Sequence, residues 1–119
     1  MVFKGSVLEI TFRQKKLAKI CNNHKHLVRE YGERRAKRIR QRLAEFSAAA
    51  NLAEISKLPA PRCHELTGDR KGQLSVDLDH PYRLLFVPAN EPIPRKDDGG
   101  LDWTGITAIE IIGVEDTHG

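Results

Sequence analysis

The apolar residues of this chain change period twice, and that change sets the order of its elements. Over residues 6–12, Leu8, Ile10 and Phe12 alternate with Val7, Glu9 and Thr11, the period of two that marks a half-buried strand. From Leu17 the spacing becomes three and four. Leu17, Ile20, Cys21, His24, Leu27, Val28 and Tyr31 then share one face of a helix. Asn22 and Asn23 weaken that helix and can break or bend it, because short amides compete for backbone hydrogen bonds. Gly32 ends it, and Ala36, Ile39, Leu43, Phe46 and Ala50 carry the same spacing onward. Two helices meeting at one glycine predict an antiparallel hairpin. Asn51 is placed to cap a short third helix over residues 52–58, which Pro59 and Pro61 terminate.

Beyond Pro61 the pattern returns to short runs. Residues 63–66, 73–78 and 82–87 are separated by turn residues at 68–72 and 79–81, the signature of a three-stranded antiparallel meander. Residues 88–105 are rich in Pro, Asp and Gly and are expected to form a surface loop, long enough to need an explanation. Residues 106–114 are apolar and β-branched, which suits a central strand. The order is β-α-α-(α)-β-β-β-β. It predicts one α+β domain over residues 1–119, a helical hairpin packed on a twisted antiparallel sheet. The first strand must pair non-locally with the later ones, since a lone strand is not stable.

Charge divides the same way. Formal net charge is +4, but residues 13–42 hold 12 Lys or Arg against Glu30 and Glu33, so this segment carries +10 and the rest −6. Arg34, Arg38 and Arg42 fall at i, i+4 and i+8, a ridge suited to a phosphate backbone or to an acidic partner. A plainly solvated helix face is the other reading. No apolar run reaches the ~18 residues of a membrane span, and the N-terminus lacks a signal-peptide core. Two cysteines make no disulfide scaffold. A soluble, cytoplasmic domain without a membrane partner is expected.

The chain has no phosphate loop, GxGxxG, HExxH or GxSxG motif. Its candidate chemistry gathers near the strands, in His64, Asp69, Arg70, Lys71, Arg83, Asp116, Thr117 and His118. Metal-free cleavage of RNA needs a base for the 2′-hydroxyl, cations for the phosphorane and an acid for the leaving 5′-oxygen. Histidine titrates near neutrality and suits the first and last tasks, while the arginine fork suits the second. His64 and His118 equally fit a strand cap and a frayed tail, and Arg70 and Lys71 fit solvated turn residues. Cys21, His24, His26, Cys63 and His64 raise a zinc site, but their spacing matches no established zinc arrangement.

One stretch is more specific. His64-Glu65-Leu66-Thr67-Gly68-Asp69-Arg70-Lys71-Gly72, then Ser75-Val76-Asp77 and His80-Pro81-Tyr82-Arg83-Leu84-Leu85-Phe86, follows the basic hairpin and precedes Glu115-Asp116-Thr117-His118. In this it resembles the HigB-type toxins, or plasmid-maintenance killer proteins, of the RelE/ParE superfamily. The resemblance implies a cytoplasmic toxin held inactive by a helix-turn-helix, HigA-like antitoxin. It implies cleavage of mRNA on the ribosome, with no metal or other cofactor. His64, Arg83, Asp116 and His118 match the family's site residues, with Arg83 expected to grip the scissile phosphate and the two histidines to transfer protons. Arg70 and Lys71 would assist at the phosphate, and Arg34, Arg38 and Arg42 would contact RNA. The chain departs from the pattern at Thr67, where relatives often carry lysine, and at Thr117, where they carry an aromatic residue. A non-catalytic module with this fold, which binds an antitoxin or inhibits gyrase, is the alternative.

Overall fold

A computed structural model describes residues 7–116; Ser6, Thr117 and His118 lie outside the described residues. Strand β1 spans Glu9–Phe12, followed by helices α1 (Lys15–Cys21), α2 (His24–Ala48) and α3 (Leu52–Ser56). Strands β2 (His64–Glu65), β3 (Leu74–Asp77), β4 (Tyr82–Pro88) and β5 (Ala108–Asp116) complete the fold. In sheet order the strands run β1-β5-β4-β3-β2.

The asparagine pair breaks the first helix. Asn22 closes α1, and the Asn23 side chain starts α2 by accepting a hydrogen bond from the His26 backbone N–H at 3.1 Å. This satisfies one of the orphan amides of a helix start. Within α2, Gly32 has φ 82° and ψ 162°, a conformation essentially restricted to glycine. The chain reverses there. Arg40 Nη1 lies 3.5 Å from His24 Nδ1, whereas 16 residues of unbroken helix would separate them by about 24 Å. The expected hairpin therefore turns on Gly32, with its arms at residues 24–31 and 33–48. Asn51 caps α3 by accepting from the Glu54 N–H, and Glu54 Oε1 returns a bond to the Ala50 N–H at 2.8 Å.

The meander β2-β3-β4 is antiparallel and extends to β5. The expectation of a wholly antiparallel sheet is corrected at its edge: β1 runs parallel to β5, with Ile10 opposite Ile109. The connection between them, α1–α3 followed by β2–β4, easily exceeds the dozen or more residues that a crossover between parallel neighbours requires. Leu27, Ala36, Ile39 and Phe46 of α2 and Leu52 and Ile55 of α3 pack on Leu74, Val76, Leu84, Phe86, Ile109 and Ile111. Phe46 meets Phe86 edge to face at 5.2 Å. As expected for β1, Leu8 is buried, with Ile10 and Phe12 packed beside it.

The segment between β4 and β5 is less irregular than its composition implies. Arg95 and Leu101 form a β-bridge, a 3-10 turn spans Trp103–Gly105, and Leu101 is buried. Asn90 pins its root by accepting from the Thr107 and Ala108 N–H groups at 3.0 and 3.1 Å.

Candidate functional site

Alternation along the strands builds the site. Leu74, Val76, Leu84 and Phe86 turn to the helices, so Ser75, Asp77, Arg83 and Leu85 take the opposite face. Register then aligns two rows across that face. Asp77, Arg83 and Glu115 form one row; His64, Ser75, Leu85 and Gly113 form the next. A bulge at Leu85/Phe86 adds a residue to β5 and preserves this phase.

His64 has two polar contacts. Its Nδ1 lies 2.8 Å from the Arg62 carbonyl oxygen, and its Nε2 lies 3.3 Å from Arg83 Nη1. A carbonyl only accepts and a guanidinium only donates. These two contacts fit a neutral ring with its proton on Nδ1 and the Nε2 lone pair towards Arg83. Asp77 stands beside both arginines: Oδ1 is 3.2 Å from Arg83 Nε, and Oδ2 is 3.5 Å from Arg62 Nη1. The Asp77–Arg83 approach is an ion contact without hydrogen-bond alignment. The Arg83 side chain is 11% exposed and that of Asp77 24%, so solvent screens their attraction only in part. Arg62, Asp77, His80, Tyr82 and Arg83 line a cleft of about 110 Å³.

The remaining expected residues divide. Arg70 lies in the turn before β3 and pairs with Glu115, and its Nη1 donates to Gln73 at 3.4 Å. It belongs to the same face, but its charge is already matched. Lys71 instead lines a separate groove with Glu65, Ile93, Arg95 and Leu101. Asp116 is opposite Tyr82, one step out of phase with Arg83, so alternation brings Glu115 to the Arg83 face. His118, the second expected proton-transfer residue, lies outside the described residues.

The basic ridge also divides. Arg34 and Arg38 are exposed, and Arg38 Nη1 donates to Gln41 at 3.1 Å. Arg42 is only 4% exposed, which corrects its expected place on an RNA-facing surface. Each four-residue step rotates about 40° around a helix, so the third member of the series reaches the sheet. There Arg42 Nε donates to the Asp77 carbonyl at 2.6 Å, and Nη1 bonds both Glu45 oxygens at 3.0 and 3.1 Å. Arg35 is a second anchor, with Nε 3.0 Å from Asp79 and its guanidinium 3.5 Å from the Tyr82 ring centre. A groove of about 490 Å³ on the hairpin is lined by His24, Val28, Glu33, Arg34, Lys37 and Arg40.

Burial pushes the Cys21 thiol up to about 11 and the Cys63 thiol up to about 12, which opposes the thiolate form that binds metal. Among the described residues, no three His, Cys, Asp or Glu side chains group closely enough to hold a metal ion. No helix among them is long and apolar enough to cross a membrane.

Sequence reasoning quoted Asp77 and Glu115 only within the stretches that carry the resemblance and gave them, like Arg62, no role in the site. Strand parity held the signal for Asp77, two residues from Ser75 and opposite Arg83 in the meander. Arg62 contributes a backbone carbonyl at φ 48°, and no residue-type pattern encodes that. The site is thus a His–Arg–Asp network on the face of a mixed sheet opposite the one on which the basic helical hairpin packs. The chain matches no protein-family model and no curated protein.

Proposed function

We propose that this protein is the toxin of a toxin–antitoxin pair, a ribosome-dependent mRNA endonuclease of the HigB type in the RelE/ParE superfamily. The observation that carries the reading is His64 Nε2 within 3.3 Å of Arg83 Nη1 on the sheet face turned away from the helices. A phosphodiester entering there meets a cationic fork and a ring nitrogen with an unprotonated lone pair. As the phosphate takes the Arg83 guanidinium, Nε2 is released to accept the 2′-hydroxyl proton. The 2′-oxygen attacks phosphorus, the bond to the 5′-oxygen breaks, and His118 returns a proton to that oxygen. The products are a 2′,3′-cyclic phosphate and a 5′-hydroxyl end. Acid–base transfer of this kind contributes about 10²–10⁴-fold each, and the ribosome would supply the fixed mRNA geometry.

Arg34, Arg38, Lys37 and Arg40 on the exposed side of the hairpin suit ribosomal RNA. A helix-turn-helix, HigA-like antitoxin would neutralise the toxin in the cytoplasm. The test uses purified protein and ribosomes programmed with a defined mRNA. Cleavage with cyclic-phosphate ends is expected, reduced at least ~100-fold by His64→Ala or Arg83→Ala. Intact mRNA from a protein that still arrests growth would instead favour a non-catalytic inhibitor, such as one directed at gyrase.

A further inference from the structure

We propose that Asp77 is the positioning residue of this site, with its carboxylate holding Arg83 and Arg62 in the places from which they fix His64 as the Nδ1–H tautomer. The catalytic consequence rests on the ribonuclease reading; the geometric one does not. Asp77 sits on β3, between the strands that carry His64 and Arg83, and pairs directly with Arg83. Its two oxygens face two guanidinium groups, Arg83 at 3.2 Å and Arg62 at 3.5 Å. Each arginine meets a different nitrogen of His64, Arg83 through Nη1 and Arg62 through its own carbonyl.

Asp77 is itself held from three sides. Its N–H donates to Pro61 O at 2.7 Å, which fastens the segment before β2 onto β3. Its carbonyl accepts the buried Arg42 Nε at 2.6 Å, and pairing with β4 fixes its other side. Arg62 adopts φ 48°, a left-handed conformation that a non-glycine residue keeps only when its surroundings hold it. The ion contact with Asp77 and the Pro61–Asp77 bond provide that hold. Without the carboxylate, the two guanidinium groups lose the anion that lies between them. Arg62 then loses an ion partner beside the backbone that places its carbonyl under Nδ1, and Arg83 loses an ion partner beside the fork that meets Nε2.

The test is nitrogen-detected NMR of the histidine rings in the full chain, with His64 assigned by the signal lost in His64→Gln. Wild type is expected to give the neutral Nδ1–H pattern; an Nε2–H pattern overturns the proposal without any Asp77 variant. Asp77→Asn is expected to mix the tautomers, while Asp77→Glu, which keeps the charge, retains Nδ1–H. An unchanged pattern in folded Asp77→Asn overturns the positioning role. In the programmed-ribosome assay, Asp77→Asn should lower kcat roughly 10²-fold with KM little changed, and Asp77→Glu should recover much of it. A loss confined to KM would contradict positioning. If wild type cuts no mRNA but Asp77→Asn still mixes the tautomers, the positioning stands and the ribonuclease reading falls.

Discussion

Replacing Arg42 by alanine separates the two roles open to a cation on α2, docking RNA or holding the fold together. The side chain is 5% exposed and bonds the Asp77 carbonyl and the Glu45 carboxylate. Losing a hydrogen bond from a charged donor costs about 1.5–3 kcal/mol. The two buried methylenes that alanine lacks contribute about 0.8 kcal/mol each, and Glu45 is left without its partner. Together these predict a loss of about 3–5 kcal/mol, in the range seen when one half of a buried pair is removed. For a chain of this length the melting temperature should fall by about 12–20 °C. Arg34→Ala and Arg38→Ala remove exposed groups and should stay within about 0.5 kcal/mol of wild type. Urea unfolding followed by circular dichroism measures all three. A folded Arg42→Ala chain within 1 kcal/mol of wild type would show that Arg42 does not hold the fold together.

Gly32→Ala should cost about 1–3 kcal/mol, because the new Cβ meets open space and only the backbone conformation resists it. Gly113→Ala, with equal space and no positive φ, should be nearly neutral in the same urea titration. Glu115→Gln releases Arg70 from its ion pair and should tighten binding to a short RNA, with a salt slope steeper by about 1; fluorescence anisotropy across a salt series would read an unchanged slope as refutation. The two thiols are protonated in the fold up to about 11 for Cys21 and about 12 for Cys63. The unfolded chain ionises them from about pH 9, so their contribution is fully present below that pH and lost as pH rises towards 12. Cys21→Ser/Cys63→Ser should flatten the alkaline limb of a stability-versus-pH curve, and an unchanged limb would contradict the assignment.

The elements were legible where periodicity and a special residue agreed. Gly32 marked the hairpin turn because glycine alone adopts its backbone angles without strain, and Asn51 marked a cap because its side chain supplies a missing acceptor. The direction of β1 was not legible, since the same alternation of Leu8, Ile10 and Phe12 serves a parallel or an antiparallel neighbour. At the site, His64 and Arg83 stood out by residue type, and the structure brings them together. Asp77 did not, because its importance arises from cross-strand register rather than from spacing along the chain. Arg42 misled for a related reason. An i, i+4, i+8 series drifts about 80° around a helix, enough to carry a nominal surface ridge into the sheet.

The claim that this face cuts RNA is tested most directly by primer extension on mRNA from cells in which the protein has been induced. The account predicts stops at discrete positions within translated regions that disappear in His64→Ala, Arg83→Ala and His118→Ala, with each variant confirmed as folded. Growth arrest without such stops, or stops that persist in all three variants, would contradict it.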